Sequence, residues 1–359
     1  MPRDPIIGTN HFCHKGNLGN LYPFNKGNVL LFGYARIALL AGMAKLGLKE
    51  DDIVLVPNYI CNVVLAPMHY LNLRVQFYDV DRELRPDWSS VKKNMCEKAK
   101  ALLVVNYFGF PNDMDQARAI CDHYHLHLIE DNAHGFLSSN GCRPLGTYGD
   151  ISIFSFRKMI CVPNGAALVF NNVDSLPENH SYSCYAAKGG RSILRFFARS
   201  GLSTLECFFG FKRHTAPLAK DLCDNPHQDQ YEEYEITKYL GFMPQVSKYL
   251  MERIDFGRHA AERREMYKQW VAFFQNCDDC YSDEIEILWP ILPEGVVPHV
   301  FPLLAKNRAD LIRSYWQQGI QCFPWPFLPI RSRESYFSKR LVCLPVSPYF
   351  KITDFLGKR

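Results

Sequence analysis

Short apolar runs alternate with stretches of helical spacing through the first half of the chain. In RIALLAGMAKLGL (36–48), Ile37, Leu40, Ala41 and Ala44 recur at the intervals of one helix face. Gly33 before this segment and Gly47 near its end suit helix boundaries. IVLV (53–56) reads as a strand and NVVLAPMHYL (62–71) as a helix. RVQFYDV (74–80) is a strand, 88–98 a polar helix and ALLVVNYF (101–108) a strand. DMDQARAICDHYH (113–125) then reads as a helix and LHLIED (126–131) as a strand. This alternation predicts an α/β fold with a mostly parallel sheet. ISIFSF (151–156) and AALVF (166–170), joined by a short loop, are expected to pair antiparallel or in a mixed arrangement.

From about 175 to 235 the periodicity weakens. GGRSILRFFARSGLSTLECFFGFKRH (189–214), within a basic and aromatic stretch over 188–213, has helical spacing at Ile193, Phe196 and Phe197. Helices packed on the domain or on a second subunit explain it better than a membrane surface does. One long helix is expected over 246–274. HVFPLLAK (299–306) and GIQCFPWPF (319–327) suggest a small α/β C-terminal domain. The expected division is an N-terminal extension (1–28), a large domain (29–240) and a small one (241–359). A chain of 359 residues is long enough for two domains.

Composition narrows the function classes. The chain is 47% hydrophobic and 22% charged, as ordinary soluble proteins are. A net charge of +4 is too mild to imply nucleic-acid binding. No apolar run reaches the roughly 18 residues of a membrane span, and the first thirty residues hold no signal-peptide core. The 13 cysteines are scattered, often within apolar stretches, which suits reduced thiols in a cytoplasmic protein. Cys277 and Cys280 form a CxxC without a second pair nearby, and His11, Cys13 and His14 are an equally weak cluster. No metal site is therefore expected.

The chemistry begins at LIEDNAHGF (128–136), an apolar strand ending in Glu130, Asp131 and then His134. A buried carboxylate needs a positive partner. Lys158 follows in FSFRKMICVPNG (154–165), with Ser155 just ahead of it, and no other lysine lies between Asp131 and Lys188. Gly33 opens a helix in LFGYARIALL (31–40). Each feature has an ordinary alternative: a helix cap, a solvated lysine, a turn, a surface histidine. Their ordered combination suits a bound group with a cationic nitrogen, an electrophilic carbon and a phosphate. Pyridoxal 5'-phosphate has all three. Its ring nitrogen would pair with Asp131, its aldehyde would take a lysine as a Schiff base, and its phosphate would sit on a helix N-terminus.

LIEDNAHGF, GTYGDISIFSFRK and NGAALVF together resemble the DegT/DnrJ/StrS-type aminotransferases, which act on nucleotide-linked sugars. IVLVPNYICNVV and VQFYDVDRELRPD resemble further segments of that family, and GIQCFPWPF and LVCLPVSP its C-terminal domain. The resemblance spans about residues 30 to 350 and is strongest over 30–170. It implies the fold of type I pyridoxal-phosphate enzymes, with a mostly parallel seven-stranded sheet and a small α/β C-terminal domain. It further implies that Asp131 pairs with the pyridine nitrogen and that His134 approaches the ring's phenolic oxygen and the substrate. Ala133 would lie on the ring face, Ser155 would hold the phosphate, and Gly33, Tyr34 and Ala35 would offer it amides. Lys158 would be the Schiff-base lysine and proton shuttle.

Four departures stand out. Lys158 comes two residues earlier than in the usual S-F-x-x-x-K, matching instead an R-K-x-x-x-x-P-[DN]-G version from a divergent branch. Tyr34 replaces the usual Thr. Cys61 stands where an aromatic usually stacks on the ring, with Tyr59 a possible substitute. Gly165-Ala166 replaces the usual glycine pair. The resemblance implies transamination from an amino-acid donor, expected to be glutamate, to a nucleotide-linked keto-sugar by a homodimer. The alternatives are a cofactor-binding subunit without turnover and a sugar dehydratase. Dehydrating relatives carry histidine in place of the lysine, so Lys158 argues for transamination.

Overall fold

The computed structural model describes residues 18–172, 236–276, 285–325 and 335–347. The basic-aromatic segment 188–213, the Cys277–Cys280 pair and the His11, Cys13 and His14 cluster lie outside the described residues.

Seven strands form the main sheet: β1 (Val29–Phe32), β2 (Ile53–Pro57), β3 (Arg74–Tyr78), β4 (Ala99–Val105), β5 (His127–Asn132), β8 (Ile151–Ser155) and β9 (Ala166–Phe170). Two-residue strands β6 (Ser139–Asn140) and β7 (Arg143–Pro144) form a separate ribbon. The order across the main sheet is β1-β9-β8-β5-β4-β2-β3. The run from β8 to β3 is parallel throughout. Only β9 runs against its neighbours, pairing antiparallel with both β8 and β1, as its short connection to β8 predicts. Strands β8 and β9 are buried along their whole lengths, which suits near-continuous apolar runs covered on both faces.

The crossovers are α1 (Ala35–Lys45), α2 (Ala66–Tyr70), α3 (Trp88–Lys93) and α4 (Met114–Tyr124). Helix α1 buries every residue from Ile37 to Met43 and lies against β8 and β9. Two expected helices are shorter. The stretch 62–71 begins with a 3₁₀ turn and becomes α-helical only at Ala66, with a proline in the first turn. The polar helix expected over 88–98 stops at Lys93. Its N-cap is Asp87, which accepts the Ser89 and Ser90 N–H groups at 2.9 and 3.3 Å.

The long helix expected over 246–274 is two helices, α6 (Gln245–Met251) and α7 (Phe256–Gln275). Asp255 divides them. Its side chain accepts the Arg258 N–H at 2.9 Å and starts α7 afresh. Beyond α7, β10 (Ile285–Ile287), β11 (Val300–Ala305) and β12 (Leu341–Pro345) form an antiparallel sheet, with α8 (Arg308–Gln317) against it. One apolar cluster runs from Phe32 and Ile37 of the main sheet layer to Phe301 and Leu344 of this second sheet, through Tyr267 and Trp270 of α7. That continuity brings C-terminal residues to the carboxyl edge of the main sheet, where ligands bind in open α/β sheets.

Candidate active site

Parallel pairing brings the candidate residues together. Asp131 stands opposite Ile153 in the β5–β8 register. Two residues past Ile153, β8 ends at Ser155 and feeds a single helical turn, α5 (Phe156–Met159), which carries Lys158.

The two adjacent acids have separate jobs. Glu130 is fully buried. Its Oε1 accepts the Gly146 N–H at 2.7 Å and the Asn106 amide at 3.0 Å. Its Oε2 accepts the N–H groups of Tyr148 and Gly149 and the Ser152 hydroxyl, at 3.1, 3.3 and 3.3 Å. The G-x-x-G-D loop is thus a cradle for Glu130. Gly146 has φ +96, and a Cβ there would stand 2.4 Å from the Phe154 ring. Asp150, last of the motif, accepts the Leu128 N–H at 2.6 Å and pairs with Arg118 at 3.0 Å.

Asp131, side chain pointing the other way along the strand, has far fewer donors. Its Oδ1 accepts the Ala133 N–H at 2.8 Å. Burial pushes its carboxyl up, and Lys158 and the Ala133 N–H pull it back. Lys158 is held below the ordinary lysine range by the enclosure of its amine; Cys61 and Asp131 oppose this, and Arg157 and Arg36 add to it. Cys61, in turn, is raised chiefly by loss of water around its thiol. Lys158 and Cys61 are each only partly buried as whole residues.

His134 lies against the lysine amine. Its Nδ1 accepts the Phe108 N–H at 3.2 Å, so Nδ1 holds a lone pair and the ring hydrogen sits on Nε2. Nε2 is 2.9 Å from Lys158 Nζ. With that tautomer Nε2 donates and the amine accepts, an arrangement that suits a neutral lysine and goes with the burial that lowers Lys158. Burial first, then Lys158 and His299, hold His134 well below the usual histidine range, which agrees with a neutral ring. The attraction between Lys158 and Asp131 acts only while the amine is charged. Asp131 is therefore a buried acid whose cationic neighbour, Lys158, is itself disfavoured as a cation by burial. The site fits a ligand that brings a positive N–H to Asp131 and an electrophilic carbon to Lys158.

The other expected residues fall around this pair. Ser155 is buried at the head of α5, and its side chain makes no cap bond there. Ala133 is partly exposed beside Asp131. Tyr34 precedes α1 in an extended conformation, and the Arg157 guanidinium lies 5.9 Å from its ring centre. The start of α1 thus abuts the lysine turn, and the first-turn N–H groups of a helix have no intrahelical acceptors. Gly33 departs from expectation. Its N–H donates to the Gly241 carbonyl at 2.8 Å, so it is not an amide for a phosphate. The reason is tertiary: residues 241–243 run along β1, and Phe242 bridges to Phe32. Tyr59 is likewise no substitute ring platform. It is fully buried among Tyr107, Trp325 and Phe337, with its hydroxyl on the Trp325 carbonyl.

Three residues escaped the sequence reading. Phe108 has a left-handed backbone (φ 55) and stacks on His134 at 5.4 Å while donating its N–H to that ring. His299 stacks on His134 at 4.8 Å, and Trp325 meets it edge-on at 5.2 Å. Phe108 looks like the end of a strand in sequence, and the other two come from segments read only as C-terminal packing. A histidine heading the buried run VFPLLA was the one available signal. Among the described residues, no cluster of His, Cys, Asp and Glu could hold a metal.

Known proteins share part of this sequence and the fold. GDP-perosamine synthase of Escherichia coli O157:H7 is 32% identical over 139 residues, 38% of this chain and 38% of its own length. GDP-4-keto-6-deoxy-D-mannose 3-dehydratase of Yersinia pseudotuberculosis is 29% identical over 176 residues, 48% of this chain and 44% of its own length. The chain thus spans well under half of the curated relatives it matches. Among solved structures, an E. coli GDP-4-keto-6-deoxy-D-mannose-3-dehydratase with bound hydrated PLP has a TM-score of 0.63 at 19% identity, covering 92% of this chain and 85% of its own. The aminotransferase TlmJ of Streptoalloteichus hindustanus has a TM-score of 0.62 at 17% identity, covering 92% and 83%. The fold is therefore that of the pyridoxal-phosphate transferases. Residues 26–191 match the description of the DegT/DnrJ/EryC1/StrS aminotransferase family.

Proposed function

We propose that this protein is a pyridoxal-phosphate-dependent aminotransferase that moves an amino group, with glutamate as donor, onto a nucleotide-linked keto-sugar. The observation behind it is the placing of the Lys158 amine, 2.9 Å from His134 and disfavoured as a cation by burial, near the buried, weakly partnered carboxyl of Asp131. The GDP-linked sugars in the names of the matched relatives support a GDP-linked substrate. The reading extends to a cytoplasmic homodimer with a large domain over 29–240 and a small one over 241–359. No helix among the described residues is long and apolar enough to cross a membrane.

When bound, pyridoxal phosphate supplies a carbonyl that takes amines covalently and a cationic ring that draws electrons from the adjoining carbon. Asp131 would hold the ring N–H, and that cation would keep the carboxylate ionised despite its burial. Ser155 and the first-turn amides after Tyr34 would hold the phosphate. Lys158, whose burial favours its neutral form, would hold the cofactor's carbonyl carbon. Its Nζ would also be the group to take a proton from the donor α-carbon and return it nearby. Lys158 is also what separates this reading from sugar dehydration.

The test is a half-reaction. The loaded protein should show visible absorption that bleaches with glutamate and returns on adding 3-keto or 4-keto nucleotide sugars. A loaded protein that ignores every amino donor points to a binding subunit. Lys158→Ala should lose covalent retention of the cofactor after borohydride reduction. Retention at another residue would overturn the lysine assignment.

A further inference from the structure

We propose that His299 is a positioning residue that acts through His134 to keep the Lys158 amine uncharged; the chemical use of that amine rests on the function proposed above. Two flat rings stack on His134, Phe108 at 5.4 Å and 7° and His299 at 4.8 Å and 17°. Close-packed stacked neighbours resist rotation of the ring between its rotamers. The orientation of Nε2 toward Lys158 therefore depends on both walls.

The His299 wall is fastened from several sides. Its N–H donates to the Phe108 carbonyl at 2.8 Å, tying the two walls together. Its carbonyl accepts from Arg263 at 2.6 Å, and the Pro298 carbonyl does so at 2.9 Å. Arg263, on α7, also reaches the Met159 carbonyl at 3.4 Å, and His259 one turn earlier meets the same oxygen at 2.9 Å. Met159 directly follows Lys158. Helix α7 thus holds the lysine turn and the His299 strand in one register, and the two rings meet because of it.

The groups facing this pair are known. Cys61, Asp131, Arg157 and Arg36 surround Lys158; Arg263 and Lys158 face His299, whose ring also donates to the Lys158 backbone carbonyl and so helps hold the lysine turn against it. A charged His299 would stand beside Arg263 and Lys158, so the wall works as a neutral ring. Removing it frees His134 to turn away from Lys158. The amine then loses the N–H that favours its neutral form, and its protonation midpoint rises.

The experiment uses the full chain without cofactor. Competitive acetylation with acetic anhydride, read by mass spectrometry across pH, reports the midpoint of Lys158. His299→Ala should move that midpoint upward and slow labelling at neutral pH by roughly fivefold, the effect of losing about one hydrogen bond. His299→Phe keeps a flat wall and should label as the parent does. His299→Gln, polar but not flat, should behave like the alanine variant and serves if that variant fails to fold. His134→Phe should give the same upward shift, and adding His299→Ala to it should add nothing. An unmoved midpoint in the Ala and Gln variants, equal behaviour of Gln and Phe, or additive shifts in the double variant would each overturn the proposal. Because no cofactor takes part, failure to bind pyridoxal phosphate would sink the proposed function and leave this result standing.

Discussion

Replacing Glu130 with Gln keeps the side chain's shape and removes only its charge and one acceptor. The parent carboxylate receives five donors, two on Oε1 and three on Oε2. A glutamine amide keeps one oxygen, and its NH₂ must face the other set. Toward Oε1 it would meet the Gly146 N–H and the Asn106 amide. The latter cannot flip, because its own oxygen accepts the Asn112 N–H at 2.7 Å and its nitrogen also donates to Asn132 at 2.8 Å. Toward Oε2 it would meet the Tyr148 and Gly149 N–H groups, and only the Ser152 hydroxyl can turn to accept. Either way two buried donors lose their partner. At about 1–3 kcal/mol each the cost is about 4 kcal/mol, against a typical total stability of about 5–15 kcal/mol. Urea unfolding followed by tryptophan fluorescence measures it. A loss below about 1 kcal/mol would refute the claim that the G-x-x-G-D loop is built around this carboxylate.

Asp131→Asn should do the opposite: the amide oxygen still accepts the Ala133 N–H, so urea stability should change by less than about 1 kcal/mol, while the glutamate half-reaction should slow by about 100-fold or more. The cofactor-free protein should also weaken on acidification. His134 and His299 are held well below their ordinary value of 6.5 when folded, so only the unfolded chain binds those protons below that pH. Each histidine's contribution is therefore intact above 6.5 and falls as pH drops, by about 2 kcal/mol at pH 5. His299→Phe should remove one such share from the difference between urea stabilities at pH 7.5 and pH 5; an unchanged difference would show that the ring protonates freely in the folded state.

Much of the site was legible because its residues are near one another in sequence or in adjacent strands. The step from Asp131 to His134 is a strand end and a turn. Lys158 and Ser155 follow the next strand of the sheet, and parallel pairing of β5 with β8 brings them beside Asp131. Helix boundaries were read less well. Asp255 looked like an interior position of a continuous apolar pattern, although its side chain caps a new helix. Gly33 looked like a phosphate amide because nothing local shows that Gly241, more than two hundred positions later, takes its N–H.

By itself the sequence determined the alternation of strands and helices, the parallel sheet and the candidate acid and amine, since periodicity and chain order fix which side chains leave neighbouring strand ends. Tertiary structure alone decided which of the two acids is free, because only folding wraps five donors around Glu130 and leaves Asp131 with one. It also decided what favours the neutral form of Lys158. That depends on an imidazole tautomer set by the Phe108 N–H and on a stacking partner, His299, contributed from the far end of the chain.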